Sequence, residues 1–135
     1  MSEYDLIWSV DDDEEMSQAI GMMIKLLGFK FRSFDGARLA ARALLQGERP
    51  ALLLLDINMP EVSGLELLEF IRSRPALKKL PILMLSANAT DTDIDLAMHT
   101  GAQGYLTKPV SLDELERELR SVLGYSRPAN AVHET

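Results

Sequence analysis

The chain has no cysteine in its 135 residues. That excludes disulfides, thiolate nucleophiles and thiolate metal sites. Histidine is scarce too, with only His99 and His133, so a histidine-built metal centre is a poor fit and any metal should be held by oxygen. No apolar run approaches the ~18 residues that span a bilayer, and the start, MSEYDL, lacks the basic and apolar regions of a secretion signal. These absences predict a cytoplasmic protein with no membrane partner. Positive charge is the minority: 14 Lys and Arg stand against 21 Asp and Glu, a net charge of −7. A surplus of that sign repels nucleic acid and anionic lipid, so direct nucleic-acid binding is not expected.

What is present is a core. Hydrophobic residues make up 47% and charged residues 26% of the chain, enough at this length for one globular domain that folds alone. Strands and helices take turns along it. DLIWSV (5–10) reads as a strand; Met16, Ala19, Ile20, Met23, Ile24 and Leu27 follow at helical spacing, until Gly28 offers a C-terminal cap. FKFRSF (29–34) alternates as a half-buried edge strand does, and Ala37, Ala40, Ala41, Leu44 and Leu45 mark a second helix ending near Gly47. ALLLL (51–55) does not alternate, which predicts a strand covered on both faces.

A third helix fits 65–72, with Leu65, Leu68 and Ile71 inward, before the strand PILMLS (81–86). An acidic helix follows around 91–99, then a short strand GYLT (104–107). Leu112, Leu115, Leu119, Val122 and Leu123 form a last helix behind the N-cap Ser111. Five βα units predict an α/β fold, a doubly wound five-stranded parallel sheet with five helices. Residues 1–123 form the domain; GYSRPANAVHET (124–135) lacks periodicity and reads as a tail or the start of a linker.

Ligands of such sheets bind beyond the carboxyl ends of the strands. The first strand ends in Asp11, Asp12 and Asp13, the third in Asp56, the fourth in Ser86, and the fifth in Thr107, Lys108 and Pro109. DDDEE (11–15) also suits a helix N-terminus, with Asp13 as cap. Asp56 adds a further demand, because unit charges 4 Å apart repel by ~4 kcal/mol at an effective dielectric of 20. A divalent cation removes that penalty, and carboxylates plus water suit Mg²⁺. Calcium fits less well, since no D-x-[DN]-x-[DN]-G loop is present. Beside a metal and an aspartate, Lys108 and Ser86 supply a cation and a hydroxyl donor for a transferring phosphoryl group.

The segments VDD (10–12), LLLDINMPEVSG (53–64), ILMLSA (82–87) and GAQGYLTKPV (101–110) closely resemble, in order and spacing, the signatures of two-component response-regulator receiver domains. The resemblance covers residues 5–123 and implies the flavodoxin-like strand order 2-1-3-4-5, which is a standard illustration of this fold. It implies that Asp56 is the phosphoacceptor, that Asp12 binds Mg²⁺ directly and Asp11 mainly through water, and that Asn58 offers its backbone carbonyl to the metal. Ser86 and Lys108 would contact the phosphoryl group, Tyr105 stands at the switch-aromatic position, and the peptide bond before Pro109 is commonly cis. Asn58 and Asn88 fall where the family tunes the lifetime of the phosphorylated state.

The function so implied is a phosphoacceptor signalling domain. A histidine kinase or histidine phosphotransfer protein would donate, the domain would catalyse only its own phosphorylation and slow dephosphorylation, and a partner-binding face would switch for a downstream protein or effector domain. Two alternatives differ in class. A pseudo-receiver would bind partners without phosphorylation, against which stands the intact set Asp11, Asp12, Asp56, Ser86 and Lys108. An aspartyl-nucleophile phosphatase would need D-x-D, whereas the third strand gives Asp56-Ile57-Asn58. The chain also departs from DNA-binding regulators that pair charges through the fourth helix, fifth strand and fifth helix. It reads GAQGY where GADDY is frequent, has no Lys or Arg in 91–98, and carries Val110 after Lys-Pro. These departures favour a stand-alone or phosphorelay-type receiver.

Overall fold

Apolar runs long enough for one strand each, separated by amphipathic helices, leave the chain one economical solution: strands side by side with helices on both faces. The computed structural model describes residues 5–87 and 92–124. Its elements are β1 (Leu6–Val10), α1 (Glu14–Leu26), β2 (Lys30–Phe34), α2 (Ala37–Leu45), β3 (Leu52–Asp56), α3 (Gly64–Ser73), a single 3₁₀ turn (Pro75–Leu77), β4 (Ile82–Ser86), α4 (Thr92–Thr100), β5 (Gly104–Thr107) and α5 (Leu112–Leu123). All neighbouring strands pair in parallel, in the order β2-β1-β3-β4-β5. Asn88 and residues 125–135 of the expected tail lie outside the described residues.

Side-chain alternation splits the core in two. Trp8, Val10, Leu53, Leu55, Ile82 and Met84 point to the side covered by α2, α3 and α4. Ile7, Leu52, Leu54, Leu83, Leu85 and Leu106 point to the side covered by α1 and α5, where Ile20, Ile24, Leu115 and Leu119 meet them. β3 and β4 are buried at every position, as their unbroken apolar sequence predicts. The register aligns the strand ends: Val10 lies opposite Phe34 and Leu55, and Asp56 opposite Leu85.

Several helix details differ from expectation. Ala19 is exposed, while Ser17 and Gly21 are buried; Phe31 of β2 lies directly over Gly21. Leu45 is 56% exposed; neighbouring helical positions point about 100° apart, and Leu44 takes the inward one. Leu112, the first residue of α5, is also exposed. α3 begins at Gly64, where Ser63 accepts from the Glu66 N–H and the Glu66 carboxylate accepts from the Ser63 N–H. The caps expected at Asp13 and Ser111 form, each accepting from the backbone N–H three residues on.

Candidate functional site

Three chain segments that are remote in sequence meet at the carboxyl edge of the sheet. β3 delivers Asp56 at its last position, with only 3% of the residue exposed. The turn after β1 delivers Asp11, also 3% exposed, and the exposed Asp12. Carboxylate oxygens from these three residues lie within 4.8 Å of one another. The turn after β5 adds Lys108, whose Nζ stands 3.1 Å from Asp56 Oδ1 and 3.4 Å from Asp11 Oδ2. The Lys108–Pro109 peptide bond is cis.

The local chain explains how these side chains are positioned. Asp11 Oδ1 accepts from the Asp13 N–H at 2.9 Å, while Asp13 itself caps α1. The Lys108 N–H donates to the Ser86 carbonyl at 2.7 Å, tying the lysine's turn to the end of β4. Ser86 is fully buried. Beyond Asp56, a Cβ at position 64 would collide with the Asp56 carbonyl oxygen, so only glycine lets the start of α3 close against the end of β3.

Electrostatically the site is short of positive charge. Three carboxylates face one ammonium, which leaves two negative charges uncompensated. Burial pushes the Asp56 carboxyl from 3.8 up to about 6; the hydrogen bond from Lys108 pulls it down and the Asp11 charge pushes it up. The Lys108 charge and the Asn58 backbone N–H also favour the ionised form. Burial would lower the Lys108 ammonium, but its hydrogen bonds and charge pairing with Asp56 and Asp11 outweigh this and raise it. Both partners of one ion pair are thus raised: at Asp56 burial outweighs the lysine, whereas at Lys108 the two carboxylates outweigh burial. The donor set fits a hard cation. Around a six-coordinate Mg²⁺ with bonds of about 2.1 Å, oxygens sit roughly 3 to 4 Å apart, inside the spread seen here.

The expected residues do not all share one contact. Asp11, Asp12, Asp56 and Lys108 converge directly. Ser86 ends the neighbouring strand, opposite Thr107 in register, and Tyr105 stands opposite Met84 with 40% of the residue exposed. Asn58 is exposed, and its backbone N–H bonds the Asp56 carboxylate, a contact that expectation for its carbonyl overlooked.

Sequence reading also missed Arg72. This half-buried side chain on α3 donates to the carbonyls of Gly101, Leu77 and Leu80 at 3.0, 3.2 and 2.7 Å, and to Gln103 Oε1 at 3.1 Å. The same amide oxygen accepts from the Ile82 N–H. No sequence signal marks such a residue, because three of its four acceptors are backbone carbonyls that every residue carries.

Among the described residues no helix is long and apolar enough to cross a membrane. Known proteins share this architecture. A putative response regulator from Chloroflexus aurantiacus superposes with a TM-score of 0.85 at 26% identity, covering 91% of this chain and 100% of that one. The receiver domain of sensor histidine kinase PA1611 from Pseudomonas aeruginosa, whose structure has a magnesium ion coordinated in the active site cleft, superposes at 0.81 with 27% identity over 91% and 100% of the two chains. In sequence, the transcriptional regulatory protein TctD of Salmonella typhimurium is 39% identical over 125 residues, 92% of this chain and 53% of TctD. The chain therefore spans about half the length of that curated relative. The response regulator receiver domain profile matches residues 7–120. With that match and this carboxyl-edge geometry, the chain belongs to the response-regulator receiver domains of two-component signalling.

Proposed function

We propose that Asp56 is the phosphoacceptor and takes a phosphoryl group from a histidine kinase or histidine phosphotransfer protein. The observation that carries this reading is one buried carboxylate at the end of β3, 3.1 Å from Lys108 Nζ and within 4.8 Å of the Asp11 and Asp12 oxygens. Asp12, Asp56 and the Asn58 carbonyl would hold Mg²⁺ directly, and Asp11 through water. Bound there, the ion supplies charge neutralisation and orientation for the transferring group.

An Asp56 oxygen attacks phosphorus in line; the phosphorus–nitrogen bond to the donor imidazole breaks, and its electron pair leaves on the ring. Lys108 holds one equatorial oxygen and the Ser86 hydroxyl donates to another. Water later attacks the same phosphorus, releasing phosphate and restoring the Asp56 carboxylate. Asn58 and Asn88, at the two positions where the family tunes it, set the lifetime of the phosphorylated state.

The domain is a signalling device, turning over only its own phosphate. Ser86 and Tyr105 act as the switch: Ser86 moves towards the phosphoryl group and the Tyr105 ring turns inward, altering the face formed by α4, β5 and α5 for a downstream protein or effector domain. Residues 1–123 form this unit and 124–135 continue it as a tail or linker.

The test is incorporation of phosphate from acetyl phosphate with Mg²⁺. Hydroxylamine-labile label should appear in the parent protein and be absent from Asp56→Asn. Full labelling of that variant overturns the assignment.

A further inference from the structure

Among the described residues β5 ends the sheet, so one of its edges has no described strand beside it. A groove of about 390 Å³ runs along that edge, lined by Gly104 to Thr107 on the strand, Met98 of α4, and Glu114, Arg117 and Glu118 of α5. Two features make it more than a gap between helices. Met98 and Tyr105 each leave 40% of their surface in solvent, an apolar and aromatic strip alongside the strand. The opposite wall is acidic, and one carboxylate leans onto the strand: a Cβ at Gly104 would meet Glu118 Oε1 at 2.8 Å.

The charge is predominantly negative. Glu114 and Glu118, four apart on one face of α5, repel by a few tenths of a kcal/mol in an isolated helix, with Arg117 as the one cation of the lining. α4 adds Asp93 and Asp95 and contains no Lys or Arg. Self-association through a two-fold axis would set this patch against its own copy, placing Glu114 and Glu118 near the same carboxylates of the other chain.

We propose that this groove receives a cationic amphipathic segment of a partner protein. One apolar side chain would seat between Met98 and Tyr105, and lysines or arginines would face Glu114 and Glu118. The inference rests on the reading that the α4–β5–α5 face meets the partner, and adds the partner's chemistry, with self-pairing disfavoured.

The probes are two helical peptides with identical leucine spacing, one completed with lysine and one with glutamate, titrated into ¹⁵N-labelled protein saturated with Mg²⁺. The lysine peptide should bind, shift the amides of Met98, Tyr105 and Glu118, and weaken steeply as salt rises. Glu114→Lys with Glu118→Lys should weaken it about tenfold or more and admit the glutamate peptide. Glu114→Lys alone should give a smaller loss, a check that does not depend on the Glu118 contact with Gly104. Equal binding of both peptides overturns the inference, as do shifts confined to Asp11, Asp12 and Asp56, or dimerisation through this face in place of peptide binding. Because the titration uses unphosphorylated protein, its failure leaves labelling of Asp56 a separate question.

Discussion

Two half-buried cations show how differently one fold uses the same charge. Arg72 sits among neutral acceptors, its donors divided between three carbonyls and the Gln103 side chain, in a knot joining α3, the 3₁₀ turn and the turns that lead into β4 and β5. Lys108 faces two carboxylates, with a third close behind. Burial lowers the Arg72 guanidinium, whereas the surrounding carboxylates raise the Lys108 ammonium despite burial. The first cation is satisfied and holds the scaffold. The second is outnumbered, so its site gains from any further positive charge.

The sharpest way to break this contrast is to remove the satisfied cation. Arg72→Ala withdraws the donors from three carbonyls and one amide oxygen, of which the Leu77 carbonyl keeps the Leu80 N–H and Gln103 Oε1 keeps the Ile82 N–H, and should cost ~2–4 kcal/mol in urea unfolding; Arg72→Lys, which cannot reach all four, should recover less than half. A loss below ~1 kcal/mol would show that the knot is ornamental.

The outnumbered site should behave in the opposite sense, with a pH signature. The Asp56 carboxyl is raised from 3.8 to about 6 in the folded chain. The unfolded state therefore releases its proton first, and the stability that the protonated form carries below 3.8 is lost as pH rises through 6. Asp56→Asn cannot ionise, so without metal it should be more stable than the parent at neutral pH by ~1–3 kcal/mol. The gap should close as the pH falls below the unfolded carboxyl's value. Mg²⁺ should then stabilise the parent more than the variant. A constant gap at all pH values contradicts the burial argument.

A finer test separates the two aspartates of the β1 turn. Asp11 is already engaged by the Asp13 N–H and Lys108, while Asp12 stands exposed. Asp12→Ala should weaken Mg²⁺ binding by ~10-fold or more, and Asp11→Ala by less. Quenching of Trp8 fluorescence, from the strand that ends beside the site, reports both. Equal affinities would place the two carboxylates in the same role.

The smallest effect concerns the acceptor loop. Glu61 has φ 65, the left-handed region, and its carboxylate pairs with Arg38 at 3.2 Å on an exposed surface. Relief of that backbone should outweigh the pair, so Glu61→Gly should raise stability by a few tenths of a kcal/mol and at most ~1. A loss would mean that Arg38 anchors the loop.

These contrasts also mark what was legible in the sequence. Strand positions were, because LLLL and ILML are apolar at consecutive positions and demand cover on both faces. The convergence of Asp11, Asp12, Asp56 and Lys108 was legible too, since each follows a strand and parallel strands end together. Helix faces were read less well: Ser17 and Gly21 carry no hydrophobic signal, yet both are interior, Gly21 beneath the Phe31 ring. Ser63 and Glu66 carried a readable S-x-x-E cap that was passed over. The 3₁₀ turn is too short for periodicity, and Arg72 looks like any charge near a helix end until its acceptors are seen.

The most direct measurement locates the phosphoryl group itself. After brief exposure to acetyl phosphate and Mg²⁺, borohydride reduction of the acyl phosphate followed by peptide mass mapping should convert residue 56, and no other aspartate, to homoserine. Homoserine at Asp11 or Asp12 with residue 56 intact, or none at all in folded, Mg²⁺-binding protein, would contradict the claim that the under-compensated site exists to phosphorylate Asp56.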